Sequence, residues 1–172
     1  MITKPFSPRD IFAQPVVNSS RVFLSPQRYI QGPGVIKNCG LYLSLINAKH
    51  VGVLASKRGF SAEAANVLQS LNEAGIEYSK AEFRGECSKE EVERHTNDLM
   101  SAKPDCILAV GGGKLVDAGK CIAYRLNCQV GIIPTLASND APCSSISVLY
   151  TVDGVKDIVE LSLIHISEPT RP

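Results

Sequence analysis

The sequence predicts an α/β fold: a parallel sheet covered by helices on both faces. Short apolar runs alternate with stretches of helical period along most of the chain. The runs at 50–55 and 106–110 are apolar without alternation, as in strands buried between two helix layers. Glycines, prolines and capping residues fall at the junctions between runs.

The elements follow in order. Residues 28–31 read as a short strand ending at Gly32-Pro33-Gly34, after which Val35, Ile36, Cys39, Leu43 and Ile46 recur at helical spacing. A buried strand spans 50–55. Ser61 is the expected N-cap of a helix over 62–74, whose Ala64, Ala65, Val67, Leu68 and Leu71 are expected to share one face and which Gly75 stops. A second strand covers 76–83. Ser88 and Glu91 have capping-box spacing and open a helix over 89–102, which Pro104 and Asp105 end. A third strand at 106–110 runs into Gly111-Gly112-Gly113 and a helix over 114–126. A fourth strand, 129–133, is closed by Pro134.

Residues 1–26 are an irregular extension, broken by Pro5, Pro8, Pro15 and Pro26, and 27–160 are expected to form one domain, whose ligand class the glycine run points to. Residues 161–171 resemble the translation of a transposase-end sequencing adapter, so 161–172 are expected to be a non-native tail. The net charge of +1, with basic residues scattered, argues against nucleic acid or a membrane surface as a partner. No CxxC pair occurs among the six cysteines, which read as reduced, core-filling thiols. With no apolar leader, the expected setting is cytoplasmic; a mitochondrial transit peptide is the alternative for the proline-broken extension. His50 and His95 read as solvent-facing.

The glycine run carries the chemistry. Three glycines after an apolar strand, opening a helix, let backbone approach a pyrophosphate, while the free amides of the helix start attract its charge. Lys114 adds a cation. Neither of the standard nucleotide fingerprints is present. Candidate ligand loops at strand carboxyl ends are 56–59, 111–113 and 135–140.

The stretch from Gly111 through Asp117 to Lys120 resembles the glycine-rich signature of the iron-containing alcohol dehydrogenase superfamily. Residues 134–144, with Ser138-Asn139-Asp140-Ala141-Pro142, are similar to its second signature in the form found in glycerol dehydrogenases. The resemblance runs from about Arg28 to Gly154 and implies the amino-terminal, Rossmann-like domain of a two-domain dehydrogenase whose helical domain is missing. It implies cofactor contacts at Gly112, Gly113, Lys114, Thr135, Ser138, Ser144, Ile146 and Tyr150, and a substrate contact at Asp140. A carboxylate there accepts hydrogen bonds from polyol hydroxyls, though an Asx-turn role fits the same residue.

Where the family often has an aspartate for the adenosine ribose, this chain has Ser56, followed by Lys57 and Arg58. NAD is the default cofactor and NADP the alternative. The implied partners are a small polyol and other copies of the subunit. Zinc or another divalent metal is expected in the full-length parent only, so the chain alone is expected to be inactive. The implied reaction is hydride transfer from a secondary hydroxyl of glycerol, giving dihydroxyacetone. Alternatives on the same fold are a dehydroquinate synthase-like enzyme, a polyol-phosphate dehydrogenase or a catalytically silent nucleotide-binding fragment. Asp117 reads as loop support and Lys120 as a solvated face residue.

Overall fold

The computed structural model describes residues 28–136, 140–144, 146–151 and the backbone of 156–160. The extension 1–26, the tail 161–172 and Ser138 lie outside the described residues.

A 3₁₀ turn, Val35–Asn38, leads into α1 (Cys39–Ser44). There follow β1 (His50–Ser56), the single-turn α2 (Lys57–Phe60), α3 (Glu63–Glu73) and β2 (Glu77–Phe83). Then come α4 (Lys89–Met100), β3 (Cys106–Gly111), α5 (Gly113–Leu126) and β4 (Gln129–Pro134). An antiparallel hairpin of β5 (Ile146–Tyr150) and β6 (Lys156–Glu160) completes the described elements.

Strands β1 to β4 form one parallel sheet in the order β2-β1-β3-β4. Side chains alternate across it. Val51, Val53, Ala55, Leu108 and Val110 point into one core with Cys39, Leu43, Val67 and Leu71 of α1 and α3. Leu54, Ile107 and Ala109 point into the other, with Val92 and Leu99 of α4 and Leu115 and Ile122 of α5. This is the expected double-sided packing. Gly119 lets α5 lie close to the sheet: a Cβ there would stand 2.6 Å from the Ala109 Cβ.

Several local expectations are corrected. Residues 28–31 form no strand; Tyr29 and Ile30 are exposed, and no described strand pairs with them. Ser61 caps nothing at the start of a helix. The capping hydroxyl is that of Ser56, which accepts from the Gly59 amide at 3.0 Å and starts α2 directly after β1. The capping box at α4 is half made. Ser88 Oγ accepts from the Glu91 amide at 3.2 Å, but the Glu91 carboxylate accepts from the Arg84 amide at 2.9 Å instead of reaching back to Ser88. Gly75 ends α3 with φ +68°, as expected. The β5–β6 hairpin was not foreseen.

His95 is wholly buried, contrary to expectation, with Nε2 3.1 Å from Glu91 Oε1. His50 is half-buried against Ser79 Oγ at 2.9 Å. Lys120 is also wholly buried, and its ammonium donates to three backbone carbonyls. All six cysteines are free and four are buried. Burial pushes the Cys39 and Cys128 thiols up to about 12, so they are inert packing groups at neutral pH.

Candidate nucleotide-binding cleft

The carboxyl ends of the parallel strands meet at a cleft of about 1010 Å³. Its walls come from Ser56–Gly59 after β1, Arg84 and Gly85 after β2, Gly111–Leu115 after β3, and Thr135 and Leu136 after β4. Two of the three predicted loops are brought together whole, and the third through its first two residues, Thr135 and Leu136. The loop after β2 was missed, although the same carboxyl-end rule points to it.

The glycine loop is the floor. Gly112 precedes α5 in extended conformation, φ −83° and ψ −179°, and offers no side-chain cap. The first amides of α5 are thus left for an outside partner, with the positive end of a 14-residue helix behind them. A Cβ built on Gly112 meets nothing within 4 Å, so the space in front of the helix is open. A pyrophosphate has room there and amides to hold it. Thr135 ties the next strand to this floor, its amide donating to the Gly111 carbonyl at 3.0 Å.

The rim is cationic. Lys57, Arg58, Arg84 and Lys114 line the cleft against Glu63 and Glu82. Lys114 is turned to Glu86, with Nζ 2.5 Å from Oε1, and both side chains are exposed. Such a pair in solvent is weak and is readily exchanged for a phosphate. Arg84 is positioned from behind by α4. Glu91 binds the Arg84 amide and also pairs with Arg94 Nη2 at 2.6 Å. Burial acts to raise the Glu91 carboxyl, but Arg94 and the Arg84 amide outweigh it and hold it below the usual carboxylate range.

Of the remaining predicted residues, Asp140, Ser144, Ile146 and Tyr150 are not among those that line the cleft. Asp140 is exposed at the start of a turn, its carbonyl accepting from the Cys143 and Ser144 amides at 2.8 and 2.9 Å. The turn is therefore closed by the Asp140 main chain, leaving the carboxylate free of that duty. Ser144 Oγ accepts from the Ile146 amide at 3.1 Å. Tyr150 ends β5, with its amide on the Cys87 carbonyl at 2.8 Å. Among the described residues no group of three His, Cys, Asp or Glu is placed to hold a metal.

The family model for iron-containing alcohol dehydrogenases matches residues 26–164, most of the chain. The chain belongs to this family. Glycerol dehydrogenase of Escherichia coli O6:H1 is 39% identical over 137 residues, 80% of this chain and 37% of that protein. A probable glycerol dehydrogenase from Sinorhizobium meliloti 1021 superposes with a TM-score of 0.74 at 34% identity, covering 83% of this chain and 38% of that one. Glycerol dehydrogenase from Schizosaccharomyces pombe gives 0.73 at 35% identity, covering 84% and 37%. The chain thus spans a little over a third of the length of these relatives, and in this iron-containing alcohol dehydrogenase fold the matched part is the amino-terminal domain.

Proposed function

We propose that this chain is the dinucleotide-binding half of a glycerol dehydrogenase-like oxidoreductase. The observation that carries the reading is the uncapped start of α5 with open space over Gly112, at the carboxyl end of β3 in a cationic cleft. Relatives from Escherichia coli, Pseudomonas putida and Schizosaccharomyces pombe are named glycerol dehydrogenases, which supports a small polyol as the substrate class. The nicotinamide cofactor would supply the hydride acceptor. Gly112 and Gly113 would hold its pyrophosphate, with Lys114 released from Glu86 to the phosphate. Thr135 and Ser144 would contact the cofactor as well, and Asp140 would accept hydrogen bonds from substrate hydroxyls.

We read the cofactor as NAD(P). Ser56 uses one lone pair on the Gly59 amide and keeps its proton to donate. That proton suits a ribose hydroxyl or a 2′-phosphate, and Lys57, Arg58 and Arg84 add attraction for the latter. A divalent metal finds no three-ligand cluster among the described residues, so no chemical step through a metal is assigned to this chain's own groups.

The test is calorimetric titration of the purified chain with NADH, NADPH and ADP-ribose. Saturable one-to-one binding that salt weakens supports the cleft assignment. No binding of any of the three removes it.

A further inference from the structure

Asp117 and Lys120 lie one turn apart on α5, both buried behind the cleft. An ammonium has three N–H bonds to give. Lys120 gives them to the carbonyls of Ala141 at 3.0 Å, Ser144 at 3.2 Å and Ile146 at 2.7 Å. Asp117 Oδ1 stands 2.8 Å from the same nitrogen and supplies the neutralising charge. Asp117 Oδ2 accepts from the Val148 amide at 3.2 Å. One ion pair therefore grips the chain at four points between Ala141 and Val148.

The chain that leaves the sheet at Pro134 is thus fastened to the phosphate-loop unit at both ends. Thr135 is tied to Gly111 at the near end, and the Lys120–Asp117 pair makes the far tie. The far tie holds the same turn whose opening residue is Asp140, and two of the three carbonyls Lys120 grips, Ala141 and Ser144, belong to that turn. We propose that Lys120 and Asp117 are positioning residues, which set the Asp140–Ser144 turn in register with the glycine loop so that the nicotinamide and substrate end is aligned with the pyrophosphate end. This rests on the reading of the cleft as a dinucleotide site.

The proposal separates the two ends of the cofactor. NADH engages both; ADP-ribose lacks the nicotinamide. In Lys120→Met, NADH affinity is expected to fall about tenfold or more while ADP-ribose stays within about twofold. Amide hydrogen exchange gives a readout independent of ligand. The amides of Cys143, Ser144 and Val148 should exchange faster in the variant, with those of Leu54 and Ala109 in the central strands unchanged. If Lys120→Met does not fold, Asp117→Asn carries the same comparison. It keeps an acceptor for Val148 and gives up the charge, and its expected NADH loss is about threefold.

Equal loss of NADH and ADP-ribose affinity, or no loss of either, overturns the proposal. So does unaltered exchange at Cys143, Ser144 and Val148. Failure of the unmodified chain to bind either ligand overturns the dinucleotide reading instead, and the exchange data then decide the tie on their own.

Discussion

At the scale of single residues, Gly112 makes the sharpest claim. Its backbone lies in a region open to any residue, and a Cβ there would meet no protein atom within 4 Å. Gly112→Val is therefore expected to fold, with at most a small fall in melting temperature from the poorer N-cap, and to lose dinucleotide affinity by at least about a hundredfold, because the branched side chain fills the phosphate space. Calorimetry alongside thermal melting checks both halves, and retained affinity sinks the loop assignment. His95 gives a second residue-scale prediction. Burial, then the nearby Arg94 charge, hold its pKa below the ordinary 6.5, against the pull of Glu91. A group depressed in the folded state adds stability above its unfolded value, and that stability is lost as pH falls through the folded value. Denaturant midpoints should drop between about pH 7.5 and about pH 5.5, and His95→Gln should flatten that slope. An unchanged slope in the variant would show that His95 is not the titrating group.

Elements show what could be read from the residues beforehand and what could not. Gly119 faces Ala109 across the contact of α5 with β3, and neither partner has a flexible end to move. Gly119→Ala is expected to cost about 1–3 kcal/mol in urea unfolding through overpacking. A neutral or stabilising result would mean that α5 is free to shift off the sheet. Strands β1 and β3 were legible because their burial on both faces leaves unbroken apolar runs, and α3 because Gly75 stops it at positive φ. The face of His95 was legible too, since it shares helical spacing with the buried Val92, Thr96 and Leu99. A titratable residue on that face was wrongly assigned to solvent. Lys120 was beyond local reading. Its burial depends on carbonyls 21, 24 and 26 residues further on, and periodicity cannot see such partners. The one local hint was Asp117 and Lys120 three apart in the mostly apolar middle of the helix. The β5–β6 hairpin was hidden for a related reason. Its strands lie in a separate sheet beside α5, and β6 is a polar, charged run with no alternation to announce it.

For the whole molecule, the residue that joins most of the sheet is Asp105, at the start of β3 and opposite the cleft. Its Oδ2 accepts from the Lys49 and His50 amides at 2.7 and 2.9 Å, at the start of β1. Its own amide donates to the His50 carbonyl at 2.8 Å, and its carbonyl accepts from Gln129, where β4 begins. One carboxylate and its peptide therefore set the register of three strands at their amino ends, and so the level at which their carboxyl ends open into the cleft. The His50 amide, then the Lys49 amide, hold the Asp105 carboxyl below its ordinary 3.8. With the folded pKa depressed, the contribution to stability is complete above the unfolded value and is lost as pH falls from 3.8 through the folded value. Asp105→Asn keeps an acceptor but cannot titrate, so the part of acid unfolding just below pH 3.8 should diminish in it. Asp105→Ala removes the acceptor as well. At neutral pH it should cost about 1–2 kcal/mol, the low part of the range for charged bonds because the carboxylate is exposed and solvent screens it. Dinucleotide affinity in Asp105→Ala should follow global stability and leave the ratio of NADH to ADP-ribose binding unchanged, since Asp105 acts on the level of all three strands together. Urea unfolding across acid pH checks the first two expectations, and paired titrations check the third. A changed ratio would mean that the amino ends of the strands act on the nicotinamide end alone, which rigid register along a parallel sheet does not allow.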